Sequence, residues 1–369
     1  MPGPVKKTTI IAVVLGSAFI FLMSFSTCTS FGRLPRGERL ERIKQSDHYR
    51  DGQFQNISPP IQETPKKPGM VNFFKVLFSK SKNVRPKNSL PAIKTDLSSL
   101  DRTQDILLWL GHSSVFIQID GVRFLIDPVL VMGAPAAFIN RPFKGTALYK
   151  PEDIPDIDYL VISHDHWDHL DYNTVKKLKE RTGKIICGLG VGEHFEYWGF
   201  DKDRIVELEW MEKAPLENGF TIQCFPARHF SGRGLRRNRT LWVSYVLHTP
   251  TMNIFISGDG GYDTHFAEIG GQTEIDLAII ENGQYNEAWK NSHLMPDDLI
   301  QAVKDIGAQR LFTVHNSKFT LSNHSWDEPL INISRAAEQN NFNLISPMIG
   351  EPVFLKDKTQ VFNKWWERP

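Results

Sequence analysis

The chain has 369 residues, 41% of them apolar and 23% charged. This suits one large α/β domain with appendages, or two domains, and excludes disorder, collagen and coiled coil for most of its length. Cys28, Cys187 and Cys224 supply neither a disulfide framework nor the paired spacing of a cysteine zinc site, so any metal must rest on carboxylates and the 12 histidines. The formal charge is +2 over residues 1–30, +8 over 31–90 and −9 over 91–369, a basic arm ahead of an acidic body, which argues against nucleic-acid binding by the body.

Residues 1–30 read as a membrane anchor or a signal or lipoprotein segment. Thr8 to Thr27 is an uncharged run preceded by Lys6 and Lys7, long enough to cross a bilayer as a helix and also compatible with a secretory signal. Cys28 follows in SFSTC, which loosely resembles a lipoprotein cleavage box, with Phe25 and Thr27 as departures. An uncleaved anchor is the preferred reading, and lipidated Cys28 the alternative. Basic residues on both sides of the run leave its orientation open.

Residues 31–104 read as a basic, proline-punctuated arm. It either lies near anionic lipid or is a solvated linker. Within it Met70, Phe73, Phe74 and Leu77 share one helical face. That face suits a short basic amphipathic helix, lying on a membrane surface or docked on the body.

From residue 105 to 369 the pattern is that of a folded α/β domain. Strand-like runs are expected at Asp105–Leu110, Ser114–Ile119 and Val122–Ile126, the last two joined by an Asp120-Gly121 hairpin turn. More follow at Tyr159–Ser163, Lys184–Gly188, Thr221–Phe225, Leu241–Leu247, Asn253–Ser257, Leu277–Ile280 and Leu311–Val314. Helices are expected at Asn173–Arg181 and Pro296–Ile306, the second opening on Pro, Asp and Asp.

The candidate site residues sit just past the C-terminal ends of these runs. His164-Asp165-His166-Trp167-Asp168-His169 follows one, and His229, Asp259 and His315 follow three others. One edge of an α/β sheet brings such positions together. A hydrolytic two-metal centre needs two ions roughly 3.5–4 Å apart with water between them. Histidine and carboxylate suit Zn²⁺, other divalent ions being possible. The expected assignment gives His164, His166 and His229 to one ion, and Asp168, His169 and His315 to the other. Asp259 bridges, and a bridging hydroxide is the nucleophile. Any one of these histidines alone would be read as an ordinary core or surface residue. Six residues crowded into the His164–His169 turn would be costly in a core without metal.

These residues resemble the metallo-β-lactamase superfamily, whose HxHxDH signature matches His164–His169. Trp109-Leu110-Gly111-His112-Ser113-Ser114, Ile126-Asp127-Pro128, His229-Phe230-Ser231-Gly232-Arg233-Gly234 and Gly258-Asp259-Gly260-Gly261-Tyr262 are similar to its N-acyl-phosphatidylethanolamine phospholipase D and RomA-like branch. The likeness runs from about residue 105 to 330, with a weaker echo from Gly37 to Asn56. It implies an αββα sandwich and two zinc ions. It further implies a phospholipid substrate, cleaved to phosphatidic acid and N-acylethanolamine, and a place at a membrane, in the bacterial envelope. Asp127 is expected to support the site from behind, or else to be a turn residue before Pro128. Two departures touch ligand positions: His315-Asn316-Ser317-Lys318-Phe319 replaces His-Trp-Gly-Thr-Phe, and Gly260 replaces a threonine. They put the substrate in question. His324 offers a competing imidazole, set aside because His315 stands at the strand end.

Asp168 and Asp259 are thus the expected catalytic carboxylates, with His293 a candidate general acid or else a surface histidine. Arg233, Arg236 and Arg237 suit phosphate recognition or an ordinary exposed loop. The apolar stretch Gly133–Phe143 either borders a lipid groove or packs. Rival readings are a lactone, other ester or cyclic phosphodiester hydrolase of the same fold, and a non-catalytic, membrane-tethered metal-binding protein.

Overall fold

The computed structural model describes residues 29–59, 83–131 and 141–367. The expected anchor, Cys28, the helical face at 70–77 and most of the 133–143 stretch lie outside the described residues. Among the described residues no helix is long and apolar enough to cross a membrane.

The arm contributes helix α1 (Gly37–Lys44) and a hairpin of β1 (Tyr49–Arg50) and β2 (Gln53–Phe54). Asp51 and Gly52 turn that hairpin with φ of 53° and 73°, the left-handed values a tight two-residue loop requires. The body follows with β3 (Ile106–Gly111), β4 (Ser114–Ile119), β5 (Val122–Ile126), β6 (Ile157–Ile162), α2 (Tyr172–Leu178), β7 (Thr182–Gly188), α3 (Gly192–Tyr197) and β8 (Ile205–Leu208). Its second half is β9 (Lys213–Pro215), β10 (Thr221–Phe225), β11 (Ser244–His248), β12 (Asn253–Ile256), α4 (His265–Gln272), β13 (Leu277–Glu281), α5 (Pro296–Ile306), β14 (Arg310–Val314), α6 (Glu328–Asn340), β15 (Leu344–Ile345) and β16 (Pro352–Phe354).

Two seven-stranded sheets result, ordered β16-β3-β4-β5-β6-β7-β8 and β15-β14-β13-β12-β11-β10-β9. Each joins an antiparallel half to a parallel half: β5 to β8 are parallel in the first, and β12 to β15 in the second. No sequence repeat announces this matched design. The chain's last strand, β16, returns to pair with β3 and closes the first sheet.

Alternation sorts the side chains into three cores. Leu107, Trp109, Val115 and Ile117 meet Cys224, Tyr245, Ile254 and Phe312 between the sheets. Leu108, Leu110, Phe116 and Leu160 face outward onto Val175, Leu178 and Phe195 of α2 and α3. On the other outer face, Phe255, Ala278 and Ile280 pack on Phe266, Leu299, Ala302 and Ile306 of α4 and α5. The layers therefore run α, β, β, α, the sandwich that the resemblance implies. Strands covered on both faces read as unbroken apolar runs, which is why they were legible in the sequence.

Helix α5 has Pro296 in its first turn with Asp297 and Asp298, and stops at Gly307 with φ 63°. It buries Leu299, Ala302, Val303 and Ile306, one stripe at helical spacing. Truncating Leu299 to Ala is expected to cost about 2–5 kcal/mol.

Several bounds differ from expectation, β6 and β7 each starting two residues earlier. Leu241–Val243 is irregular, and β11 begins at Ser244. There Leu241 N bonds Leu189 O and Val243 N bonds Ser163 O, so this stretch stitches the two sheets instead of extending β11. Helix α2 ends at Leu178 and passes into a short 3-10 turn. The arm also shares the core, since Ile43 and Phe54 are fully buried between it and the body. Arg39 fixes it with ion pairs to Glu193, Glu196 and Glu207 at 2.6, 3.0 and 2.6 Å.

Candidate active site

The site lies where strand ends from both sheets meet. Strand β6 ends at Ile162 and releases Ser163 and the His164–His169 turn. Asp259 follows β12, and His315 follows β14. His112, Asp127 and His315 each come just after a strand and adopt left-handed backbone, with φ of 56°, 42° and 66°. Such conformations cost non-glycine residues of order 1–3 kcal/mol and concentrate at functional sites.

All seven expected ligand-type residues converge. His164 Nε2 lies 2.9 Å from His166 Nδ1, which lies 3.2 Å from His229 Nε2. Asp168 Oδ2 lies 3.3 Å from His315 Nε2 and 3.7 Å from His169 Nε2. Asp259 Oδ2 stands between the two groups, 3.1 Å from His169 Nε2 and His315 Nε2 and 3.9 Å from His164 Nε2 and His229 Nε2. Donors held about 2.0–2.1 Å from a tetrahedral ion lie roughly 3.3 Å apart, so these spacings suit metal ligation. Buried His169 Nε2 and Asp259 Oδ1 make no hydrogen bond, as expected of atoms kept for an ion.

Supporting bonds set which ring nitrogen faces inward. His229 donates from Nδ1 to Ser292 O at 2.8 Å, freeing Nε2. Asp127 Oδ2 accepts from His169 Nδ1 at 2.8 Å, while its carboxylate also takes the amide and hydroxyl of Ser163. Such carboxylate–histidine pairs orient metal-binding imidazoles.

Electrostatics divide the imidazoles, since the facing carboxylates outweigh burial at His169, raised to about 10, and at His315, raised well above its ordinary range. Burial pushes His164 and His229 well below the ordinary imidazole range and His166 down to about 4, which leaves neutral donors. Burial opposes charge on Asp168 and Asp259, but the surrounding imidazoles prevail and hold both carboxyls well below their usual range.

The Beta-lactamase superfamily domain model matches residues 122–316, the stretch that carries all seven residues. The chain belongs to the metallo-β-lactamase superfamily. It is 35% identical over 332 residues to an uncharacterized protein of Mycobacterium tuberculosis, covering 88% of each. It is 31% identical over 288 residues to N-acyl-phosphatidylethanolamine-hydrolyzing phospholipase D 1 of Caenorhabditis elegans, covering 69% of this chain and 80% of the relative. A 49% identical match of 103 residues links it to outer membrane protein RomA of Klebsiella pneumoniae, 28% of this chain and 78% of that one. Among solved structures, a possible metal-dependent hydrolase from Veillonella parvula shares the fold, with a TM-score of 0.56 at 15% identity, over 68% of this chain and all of the other.

Two further residues lie at this cluster beyond those singled out for it. His112 joins the Asp168, His169 and His315 group, its Nε2 2.9 Å from Asp168 Oδ2. It stood in the quoted Leu110-Gly111-His112 motif, but nothing marked it as a site residue because its strand run ended at Leu110. Glu281 is buried behind the site, with Oε2 3.2 Å from His293 Nδ1 and 3.4 Å from His315 Nδ1. Extending the Leu277–Ile280 run by one residue would have found it.

His293 lies at the site, its ring stacked on His315 with centroids 5.1 Å apart and 11° between planes. His324 lies outside the cluster, donating from Nδ1 to Ser325 O and accepting from Gln284 N at Nε2. The arginines divide. Arg233 is buried over Trp167 at 4.0 Å and donates to the carbonyls of Ser30, Asp165 and Leu170, so it braces the loop and does not line the cleft. Arg237 lines the cleft and lies over Phe230 at 5.2 Å.

The cleft itself encloses about 430 Å³. His166, Asp168, Asp259, His293 and His315 form one side, and Phe230, Trp289 and Leu321 supply apolar wall. The two departures from the family pattern do not line it. Lys318 is buried and donates to Leu110 O and Val129 O, tying the His315 loop to the first sheet. At Gly260 a Cβ would stand 3.1 Å from Arg228 N, a tight approach that favours glycine.

Proposed function

We propose that the protein is a two-zinc phosphodiesterase of the phospholipase D type, hydrolysing N-acyl-phosphatidylethanolamine to phosphatidic acid and N-acylethanolamine. The observation that carries this reading is the sharing of Asp259 by two ligand groups on the floor of a cleft that also holds Arg237 and an apolar wall. His164, His166 and His229 would hold one ion, and Asp168, His169 and His315 the other, with His112 beside the second. A metal pair so held supplies Lewis acidity and lowers the pKa of water to about 7.

The chain's own groups do the rest. Arg237 pairs with the phosphodiester anion, the charge-assisted contact for which a guanidinium is suited. Phe230, Trp289 and Leu321 take the apolar chain next to it. Water adds to phosphorus and gives up a proton to solvent, the bond to the ethanolamine oxygen breaks, and His293 delivers a proton from Nε2 to that oxygen and regains one from solvent. Glu281 holds the ring in place through Nδ1.

The activity named for the Caenorhabditis elegans relative supports the substrate class. A membrane-associated place in the bacterial envelope is supported by the RomA relative, by the uncharged run Thr8 to Thr27 and by Leu235, 91% exposed beside Arg236. The test is a substrate panel on one metal-loaded preparation. Phosphatidic acid should be released from N-acylated phosphatidylethanolamine. Intact lipid alongside cleavage of a lactone would overturn the substrate reading.

A further inference from the structure

The arm meets a proposed metal ligand through Asn56. Asn56, just past β2, grips both backbone polar atoms of His229. Its Nδ2 donates to His229 O at 2.9 Å, and its Oδ1 accepts from His229 N at 3.1 Å. The same Oδ1 accepts from Trp242 Nε1 at 3.0 Å, which fixes the amide's orientation. His229 therefore receives its backbone bonds from a residue 173 positions earlier in the chain. Its side chain is held separately, by Ser292 O.

The chain on either side of Asn56 is tied down around this contact. Phe54 is fully buried, and its amide bonds Asn238 O. Ser58 Oγ donates to Asp263 Oδ1 at 2.7 Å, four residues beyond Asp259. His229 follows the irregular segment after β10, where Arg228 makes an isolated bridge to Gly261, so that the backbone bonds of His229 itself come from Asn56. A ligand must be held within a fraction of an ångström for its imidazole to reach an ion, and outer contacts of this kind commonly change metal affinity 10–100-fold.

We infer that Asn56 is a positioning residue for His229, and that residues 29–59 are thereby a working part of the metal site. The inference rests on the two-metal reading above and adds to it. An ordinary structural role would cost stability without favouring one ion over the other. A positioning role weakens the ion that His229 shares with His164 and His166 and spares its neighbour.

The experiment titrates Co²⁺ into metal-stripped, full-length protein against a chelator, following stoichiometry and the visible ligand-field spectrum. Wild type, Asn56→Ala, Asn56→Asp and Ser58→Ala are compared. Asn56→Asp keeps the acceptor for His229 N–H and loses the donor to its carbonyl. Wild type should bind two ions. Asn56→Ala should bind one ion with wild-type affinity and the other at least tenfold more weakly, with Asn56→Asp in between and Ser58→Ala unchanged. Two ions held at wild-type affinity by folded Asn56→Ala would overturn the inference. If Asn56→Ala does not fold, Asn56→Asp decides by the same criterion. A wild type that takes up no Co²⁺ would overturn the two-metal reading itself, a distinct result.

Discussion

Asp127 Oδ2 lies 2.8 Å from Nδ1 of His169, and this pair joins the end of β5 to the turn after β6. The bond dictates that His169 presents Nε2 to the centre of the site, and it anchors the turn through Ser163 as well.

Removing that carboxylate leaves His169 free to rotate. Asp127→Ala is expected to weaken metal binding about 10–100-fold while the ligands themselves stay intact. Metal content after dialysis against graded chelator measures it. Retention at the wild-type level would show that the ring is oriented by its packing alone.

Two substitutions strike the ligand groups directly. His166→Ala and Asp168→Ala should each abolish hydrolysis with the fold largely retained, since both side chains face the cleft. Activity assays read beside circular dichroism and thermal melting test this, and unchanged turnover in either variant would remove the residue from the site.

The two arginines should part company. Arg233→Ala leaves the carbonyls of Ser30, Asp165 and Leu170 without their donor and is expected to cost about 2–4 kcal/mol of stability. Arg237→Ala should leave stability within about 0.5 kcal/mol and lower kcat/KM roughly 10–100-fold, the worth of one charge-assisted contact. Denaturant unfolding together with steady-state kinetics separates them. A kinetic loss in Arg233→Ala without a stability loss would reverse the assignment.

Lys318 carries a pH signature. Burial pushes its ammonium from the ordinary 10.5 down to about 7. Between these values the unfolded chain binds a proton that the folded chain lacks, so this residue makes stability rise with pH from about 7 toward 10.5. Below about 7 the cost of burying the charge is present in full. Lys318→Met removes the titration, so wild type should gain on the variant by up to about 1.4 kcal/mol per pH unit across that window. Unfolding midpoints of both proteins at pH 7 and 9.5 provide the comparison. Parallel behaviour would mean that Lys318 keeps its charge.

Much of the proposed site could be read in advance because its ligand-type residues come after short apolar strand runs, of which β6 and β14 are almost wholly buried. What escaped reading depends on contacts that no local pattern encodes. His112 is aimed at Asp168 by a left-handed turn after Gly111, a backbone property invisible in residue type. Arg233 looked like one of several loop arginines until Trp167 and Trp198, from separate segments, closed over it. The arm offered a short hairpin with few apolar residues, so neither the burial of Ile43 and Phe54 nor the grip of Asn56 on His229 had a periodic signal. The substitutions at Gly260 and Lys318 stand beside proposed ligands in sequence, and neither residue lines the cleft.

The central claim is that two ions share Asp259 and that lipid hydrolysis depends on them. Metal analysis of the purified full-length protein, paired with release of phosphatidic acid from N-acylated phosphatidylethanolamine before and after chelation, tests it most directly. The account predicts two divalent ions per chain, loss of release on their removal and recovery with zinc. One tightly held ion, or none, with no hydrolysis or with hydrolysis indifferent to chelation, would contradict it.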